Sequence, residues 1–297
     1  MTYLDDFILT RPNSFFMLKV SNKKAKKMKR GAFLANLDTN TYEWFIKAFH
    51  PKSGLDLNFY KQNQMERRIR SFMASHNHKT FPDFIKALEQ DKVLFDAFFK
   101  HLTINVTQFF RDTNQWKTLR EVILPKLLEK KTPLKIWSAG CSSGQEPYTM
   151  AITLMEYFPQ ARFSILASDI DVNVLEQAKK GIYKEADFAS TAPEIIKKYF
   201  TPVDGGYQIK DQVKRAVTFQ RQNLLTDRFD SGFDLLACRN VVIYFTEEAK
   251  DMLYRKFANS LNPGGILFTG STEHLFGMNH LGFKLISSFF YEKQIKA

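Results

Sequence analysis

Cysteine is scarce in this sequence of 297 residues, with only Cys141 and Cys238. Two cysteines cannot form a disulfide framework, so a reducing cytoplasm is the natural setting of the chain. Paired Cys-x-x-Cys and His-x-x-x-His spacings are also missing. Because structural zinc sites depend on such pairs, the sequence argues against a bound metal.

Long apolar runs are missing as well. No stretch approaches the ~18 to 20 residues needed to cross a bilayer, and the strongest run, Val241 to Phe245, has only the length of a strand. With 44% hydrophobic residues, however, the chain can bury one large or two ordinary cores. These observations predict a soluble cytoplasmic protein without stable membrane insertion.

The net charge of +12 is unevenly distributed. Residues 1–36 contain eight basic and two acidic side chains, which account for half of the excess. This concentration weakens a nucleic-acid interpretation of the remaining chain. The basic cluster at 23–30 follows the apolar run at 15–18 and would suit a tether to a membrane surface or polyanion. We favour a disordered basic tail without an assigned role.

Helical spacing of apolar residues dominates residues 37–112. Four sets of large side chains recur at intervals of three and four, with Pro51, Gly54 and Pro82 between them. This pattern predicts a small all-α domain whose many phenylalanines form its core. A further amphipathic segment predicts a linker helix within 113–132.

From residue 133 to 297 the pattern alternates between strand-length apolar runs and helical stretches. It predicts an α/β domain with a parallel sheet. The predicted strands are Leu134–Ser138, Ser164–Ser168, Val217–Asn223, Phe233–Cys238 and Gly265–Thr269, with a closing pair at Phe283–Ser287 and Phe289–Glu292. The predicted helices include Tyr148–Tyr157, Val172–Lys180 and Glu247–Leu261.

Polar residues follow these strands at the edge where open α/β sheets bind ligands. The first strand leads into a turn with Gly140 and Gly144, the second ends at Asp169, and Asn223 and Arg239-Asn240 follow later strands. The glycine spacing does not match G-x-G-x-x-G. A single nucleoside therefore fits better than a dinucleotide, with Asp169 accepting both ribose hydroxyls.

Structural alternatives exist for several of these residues. Ser143 and Glu146 have the spacing of a helix capping box, and Asp169 or Asn223 could simply terminate strands. The two cysteines fit small buried positions at neighbouring strand ends, since no triad pattern surrounds them. The six histidines are scattered, so we expect no catalytic histidine.

Five ordered motifs resemble the CheR-type chemotaxis receptor methyltransferases. The resemblance covers the chain from about residue 37 to its end and leaves the tail outside. Its motifs are Asn105–Arg111 (NVTQFFR), Lys135–Tyr148 (KIWSAGCSSGQEPY), Ala167–Asp171 (ASDID), Asn223–Leu225 (NLL) and Cys238–Phe245 (CRNVVIYF).

The resemblance implies a Rossmann-like class I methyltransferase domain behind a small all-α domain. It implies transfer of a methyl group from S-adenosyl-L-methionine, yielding S-adenosyl-L-homocysteine, to glutamates on the cytoplasmic helices of chemoreceptors. The enzyme would be a monomer at receptor arrays on the inner membrane face. The family's cofactor contacts fall on Asn105, Thr107, Arg111, Glu146, Asp169, Asn223, Leu224, Arg239 and Asn240, and Arg111 and Tyr244 fall near the transferred methyl group.

The family also carries a small β-containing insertion, expected here at about 182–216, which docks a receptor tail in some members. The compact turn Asp204-Gly205-Gly206 leaves such docking open. In the family, the helix corresponding to Lys61–Met73 binds the receptor's methylated helix. By its periodicity this helix buries Met65, Ile69, Phe72 and Met73 and directs Lys61, Arg67, Arg68 and Arg70 outward, although a solvated face would show the same pattern.

Two functions from other classes share parts of this pattern. A nucleic-acid methyltransferase would fit the charge, but base-modifying enzymes often have an Asn/Asp-Pro-Pro-aromatic turn, where this chain has Arg239-Asn240-Val241-Val242. A non-catalytic scaffold would have lost the reaction-centre residues, whereas Arg111 and Tyr244 are both present.

Overall fold

The computed structural model describes residues 38–275 and 279–294. The predicted tail of 1–36 lies outside this range. The described chain falls into two compact units, one of residues 38–56 and 73–90 and the other of residues 57–72, 91–275 and 279–294. The all-α region predicted at 37–112 therefore contributes residues to both units. Within the described ranges, no helix is long and apolar enough to cross a membrane.

Four α-helices occupy the first part of the described chain. They are α1 (Tyr42–Ser53), α2 (Gln62–Ser75), α3 (Phe81–Gln90) and α4 (Lys92–Thr103). In the smaller unit, α1 begins after Thr41, whose hydroxyl accepts the N–H of Trp44 at 3.3 Å. Phe45 packs against Phe81, with ring centroids 5.0 Å apart, so aromatic side chains join α1 to α3.

The larger unit contains a mixed, mostly parallel sheet of seven strands. The strands are β1 (Leu134–Ala139), β2 (Phe163–Asp169), β6 (Val217–Arg221), β7 (Phe233–Cys238), β8 (Leu261–Thr269), β9 (Phe283–Ser287) and β10 (Phe290–Lys293), in the order β6-β2-β1-β7-β8-β10-β9. The first five strands of this order are parallel to one another, and β10 is antiparallel to both β8 and β9. The predicted Rossmann-like sheet with a closing C-terminal pair is confirmed.

Helices alternate with these strands along the chain. They are α5 (Thr113–Thr118), which continues through a π-helical turn (Leu119–Ile123) into α6 (Leu124–Lys130), then α7 (Gln145–Tyr157), α8 (Val172–Lys180), α9 (Pro193–Tyr199), α10 (Asp211–Lys214) and α11 (Glu247–Ser260). Successive residues of β1 serve different cores, because side chains alternate along a strand. Ile136 belongs to the cluster with α7, and Trp137 belongs to the cluster with α11.

A separate three-stranded sheet lies within the predicted insertion. Its strands β3 (Ile182–Tyr183), β4 (Phe200–Val203) and β5 (Gly206–Ile209) are antiparallel, in the order β3-β5-β4. The hairpin turn is made by Asp204 and Gly205. The prediction of a β-containing insertion is therefore confirmed.

Several predicted boundaries need correction. The strand expected at Gly265 begins at Leu261, which pairs with Phe233, and α11 accordingly ends at Ser260. The strand expected to reach Asn223 ends at Arg221, because Asn223 forms a turn. Helix α7 begins at Gln145, three residues before the predicted start at Tyr148.

Candidate active site

The loop between β1 and α7 places main-chain atoms at the carboxyl edge of the sheet. Gly140 has a φ of +81°, and a Cβ atom there would lie 2.5 Å from a methyl group of Val241. A side chain at this position would therefore push the turn after β7 away from the loop. The structure brings together the ends of β1 and β7, as the sequence predicted.

The capping-box alternative for Ser143 and Glu146 is wrong. Gly144 is the N-cap of α7 and makes no side-chain cap, while the Ser143 hydroxyl donates to the side chain of Gln145 at 2.8 Å. Glu146 instead accepts from the Ser138 hydroxyl at 2.8 Å. The Glu146 carboxylate is thus directed along the strand ends and away from its own helix terminus.

Asp169 organises the second strand end. Its carboxylate accepts the backbone N–H of Ser142 at 2.8 Å and that of Asp171 at 3.0 Å. Burial raises the pKa of Asp169, and these hydrogen bonds oppose the rise. Each carboxylate oxygen has a second lone pair, so the two backbone contacts leave acceptor capacity for a ligand.

Asp171, which was not identified from the sequence as a site residue, accepts hydrogen bonds at the carboxyl edge of the sheet. It caps α8 by accepting the N–H of Asn173 at 2.9 Å, and it accepts the side-chain amide of Asn105 at 3.0 Å. Asn105 also receives the Ser142 hydroxyl at 3.4 Å. The predicted cofactor residues Asn105 and Asp169 therefore contact the same short loop. The second acidic residue of the ASDID motif was the available sequence signal.

The turn after β6 contains Asn223 and Leu224. The Asn223 side chain accepts the N–H of Leu225 at 3.0 Å, and its own N–H donates to Asp227 at 2.8 Å. Lys256 of α11 donates to the carbonyl of Leu224 at 2.8 Å and lies in a half-buried position where desolvation lowers its pKa. The prediction that Asn223 ends the strand in a turn is correct, and Asn223 and Leu224 are both buried.

Arg239 is the centre of a buried polar network. Its guanidinium donates to Asp112 at 2.9 Å, to Gln115 at 2.7 Å, to the carbonyl of Arg111 at 3.2 Å and to Glu146 at 3.4 Å. The Arg239 side chain is only 3% exposed. Because these partners occupy the guanidinium, any contact between Arg239 and a cofactor falls to its main chain. Asp112 and Gln115 were not identified from the sequence.

Burial and neighbouring groups shift the pKa of Glu146 in opposite directions. Burial raises its pKa, while Arg239, the Ser138 hydroxyl and Arg111 lower it. Arg111 itself is half-buried and donates to the carbonyl of Val106 at 3.1 Å.

The segment around Arg111 has an unusual backbone. Ile104, Phe110 and Asp112 have φ values of 50°, 54° and 62°, in the left-handed region that non-glycine residues seldom occupy. Thr107 lies between them and is half-buried. Such conformations cost of order 1 to 3 kcal/mol each and persist where surrounding contacts enforce them. The Trp116 indole N–H, which donates to the Arg111 carbonyl at 2.7 Å, is one such contact.

Tyr244 ends a short helical turn (Val242–Tyr244) after β7 and is half-buried. Its carbonyl accepts the N–H of Lys61 at 3.0 Å, and the next residue, Phe245, packs edge-on against Tyr60 at 5.0 Å. The residues immediately before α2 are therefore attached directly to the Asn240–Phe245 turn. The structure thus joins the proposed receptor helix to the proposed methyl-transfer residue, two features that the sequence analysis had placed separately.

The basic residues of α2 differ in their surroundings. Arg67 and Arg70 are exposed, and Arg70 forms an ion pair with Glu66 at 2.8 Å. The predicted outward orientation of Arg68 is wrong, because Arg68 is half-buried and donates to the carbonyl of His101. Desolvation lowers the pKa of Arg68, and the nearby Tyr244 opposes this effect. Lys61 is half-buried at the start of the helix.

The two cysteines have no assigned chemical role. Cys141 and Cys238 are buried free thiols, and burial raises the pKa of each well above its ordinary value. Neither has the depressed pKa of a nucleophilic cysteine. Across residues 38–275 and 279–294, no group of three His, Cys, Asp or Glu side chains is arranged to hold a metal ion.

The donor groups fit a cationic nucleoside. Glu146, Asp169 and Asp171 provide three buried or largely buried carboxylates around a glycine-containing loop. A positively charged ligand would offset the desolvation that raises the pKa of Glu146 and of Asp169. These carboxylates would repel a pyrophosphate, and the guanidinium of Arg239 is already occupied by protein partners, so the acidic groups favour a cationic nucleoside over a dinucleotide.

Comparison with known proteins finds two family models that match this chain. Residues 40–103 match the CheR methyltransferase all-alpha domain, and residues 105–290 match the CheR methyltransferase SAM binding domain. A chemotaxis protein methyltransferase of Listeria innocua is 40% identical over 253 residues, covering 85% of this chain and 97% of that protein. A namesake from Borreliella burgdorferi is 35% identical over 261 residues, covering 83% and 92%. Chemotaxis protein methyltransferase 1 of Vibrio cholerae is 35% identical over 248 residues, covering 80% and 90%.

Proposed function

The chain belongs to the CheR methyltransferase family, and from this we propose that it methylates glutamate side chains of chemoreceptors during sensory adaptation. The observation that carries the proposal is the match to both family domains, together with relatives aligned over nearly their whole length. The comparisons lend no support to the nucleic-acid alternative. The substrate sites would lie on the receptors' cytoplasmic helices, so the enzyme would act at receptor arrays on the inner membrane face. We propose separately that it acts there as a monomer.

The residues at the sheet edge suit S-adenosylmethionine as the methyl donor. Asp169 would accept the ribose hydroxyls, and Asn223 with Leu224 would flank the adenine. Asn105, Thr107, Arg111, Glu146, Asn240 and the main chain of Arg239 would complete the pocket. The contact between Asn105 and Asp171 supports this assignment, because it draws the segment before Arg111 towards the second strand end.

The bound cofactor supplies a methyl group attached to positively charged sulfur. A glutamate carboxylate has an ordinary pKa near ~4.3, so the acceptor is already ionised at neutral pH and needs no general base. Transfer would join one carboxylate oxygen to the methyl carbon and break the carbon–sulfur bond. The products are a methyl ester and a neutral thioether, S-adenosylhomocysteine.

This reaction neutralises opposite charges, so water that stabilises the separated ions opposes it. The protein's contribution is then to hold the acceptor in line and to exclude water. We assign Arg111 to alignment of the carboxylate and Tyr244 to a hydrogen bond near the methyl group. The contact of Arg239 with the Arg111 carbonyl at 3.2 Å supports the first role, because it fixes the main chain that carries the Arg111 side chain.

Helix α2 would guide the acidic receptor helix. Lys61, Arg67 and Arg70 supply positive charge along this helix, and the Lys61 N–H joins its start to Tyr244. Arg68 would contribute differently, by fixing α2 to His101 of α4. The direct connection between this helix and the Asn240–Phe245 turn supports a role in presenting the receptor to the methyl-transfer residues.

The proposal is tested with labelled S-adenosylmethionine and three acceptors: receptor-bearing membranes, RNA and DNA. We expect alkali-labile label on the receptor band alone, as methyl esters require. Tyr244→Phe provides the matched control, since it removes one hydroxyl and should reduce labelling without preventing cofactor binding. Label that resists alkali, or that is found on nucleic acid, would contradict the proposal.

A further inference from the structure

Glu273 lies in the segment that follows β8 and has no place in the assignments above. The residue is buried, with 4% of its surface exposed. One carboxylate oxygen accepts the N–H of Asn240 at 2.7 Å and the N–H of Gly270 at 2.9 Å, and the other accepts the N–H of Val242 at 2.9 Å. Three main-chain donors from two loops therefore converge on one buried anion.

The turn held in this way carries the residues assigned to methyl transfer. It begins at Asn240, proposed to contact the cofactor, and ends at Tyr244, whose carbonyl holds the start of the receptor helix. Asn240 has a φ of 59°, a left-handed conformation that surrounding contacts must enforce. On its other side the turn meets the glycine-containing loop, where Val241 occupies the space next to Gly140.

The chemistry of the contact requires a carboxylate. Both oxygens face N–H donors, so an amide in the same position would direct an NH₂ group at another donor. Neutral acceptors also form weaker hydrogen bonds than charged ones. Desolvation raises the pKa of Glu273, while the N–H groups of Asn240, Gly270, Val242 and Ile243 lower it. The turn and the anion therefore stabilise each other.

We propose that Glu273 is a positioning residue for methyl transfer, holding the Asn240–Tyr244 turn so that its two ends serve the cofactor and the receptor together. This role rests on the proposed function, because it takes Asn240 and Tyr244 to be working residues. It differs from a purely structural role in one measurable respect. Loss of the carboxylate should impair cofactor affinity and turnover beyond what the loss of stability explains.

The test compares Glu273→Gln with Asp234→Asn. Asp234 is also 4% exposed and accepts the N–H of Lys135 at 2.9 Å, but it lies at the opposite end of β7 from the turn. We expect both variants to lower the Tm. Only Glu273→Gln should weaken S-adenosylhomocysteine binding at least about threefold and lower kcat/KM about tenfold, the change that corresponds to ~1.4 kcal/mol. Most of the loss should be in kcat, because the turn orients groups around the reacting atoms.

A second variant covers the case in which Glu273→Gln does not fold. In Gly270→Ala, the added Cβ would lie 2.7 Å from a Glu273 oxygen and 2.8 Å from the Asn240 nitrogen, so the same contact is displaced with the carboxylate retained. We expect the same pattern of losses. Cofactor affinity and kcat within twofold of the wild-type values in the folded variant would overturn the proposal. Calorimetry of S-adenosylhomocysteine binding needs no receptor, so it tests the effect of Glu273 on cofactor affinity even if the receptor proposal fails.

Discussion

Arg239 Nη1 lies 3.4 Å from Glu146 Oε2, and the two side chains are 3% and 13% exposed. Glu146 lies in the first turn of α7 and Arg239 directly follows β7, 93 positions away in sequence. Arg239 also reaches Asp112 at 2.9 Å, so a single buried cation balances two carboxylates. Its remaining donors hold the Arg111 carbonyl and Gln115. The placement of Arg111 therefore depends on Arg239.

Replacing Arg239 with Met should destabilise the protein by roughly 3 to 5 kcal/mol, because the change leaves the largely buried Glu146 carboxylate without its cation. Urea unfolding measures this loss. In the double variant Arg239→Met/Glu146→Gln one unpaired charge is absent, so we expect partial recovery of stability. A loss below about 1 kcal/mol in the single variant would show that water compensates the carboxylates.

Asp169→Asn should abolish detectable cofactor binding. The carboxylate is expected to make charge-assisted hydrogen bonds to two ribose hydroxyls, worth ~1.5 to 3 kcal/mol each. Calorimetry with S-adenosylhomocysteine measures the change, and Asp234→Asn controls for the loss of a buried carboxylate elsewhere. An affinity within about threefold of wild type, a loss under ~0.7 kcal/mol, would exclude the ribose assignment.

Reversing charge in Arg67→Glu/Arg70→Glu should raise the receptor KM and flatten its salt dependence, with cofactor affinity unchanged. Long-range steering of an acidic helix is screened by salt, so its loss removes the dependence. The matched control is Lys130→Glu/Arg255→Glu, which changes the net charge equally at two exposed residues outside α2. Equal effects in both variants would show that the basic residues of α2 act only through the overall charge of the protein.

With saturating substrates, kcat should be nearly flat from about pH 6 to 9. The acceptor carboxylate is ionised throughout this range, and the mechanism uses no histidine. Tyr244→Phe should lower kcat more than it changes cofactor affinity, because its hydroxyl is assigned to the reacting groups. A single-turnover profile with an inflection near pH 7 that disappears on replacement of one histidine would demonstrate a required base.

The affinity for S-adenosylmethionine should rise with pH on the acid side of neutrality. Burial raises the pKa of Glu146, against the lowering effect of Arg239, and it raises the pKa of Asp169, against the lowering effect of its backbone hydrogen bonds. A raised carboxyl pKa favours the protonated form of the folded protein, so its stabilisation is present below the ordinary pKa and is lost as pH rises through the raised value. A cationic ligand reverses this preference and releases protons on binding.

Calorimetry in buffers of different ionisation enthalpy detects these protons. The neutral product S-adenosylhomocysteine should release fewer protons than S-adenosylmethionine, because it lacks the positive sulfur. Equal proton release by the two ligands would show that the carboxylates do not respond to that charge.

Local sequence patterns determined much of this fold. The predicted bounds of β7, α8 and β9 coincide with the structure, because hydrophobic periodicity, a capping Asp171 and a terminal Gly181 all act within a few residues. The polar residues after successive strands were likewise expected at one edge of the sheet, since parallel strands end there. The family motifs then supplied the chemistry.

Only the tertiary structure decided the partners of those residues. Ser143 and Glu146 satisfied a local capping rule, yet a guanidinium brought from the end of β7 and the Ser138 hydroxyl occupy Glu146. Strand β8 begins at Leu261, before Pro263, because Leu261 pairs with Phe233. The orientation of Arg68 and the role of Glu273 likewise depend on groups about 30 residues away. Periodicity describes which face of an element is buried, whereas the hydrogen-bond partners of a buried charge depend on which chain segments the fold brings together.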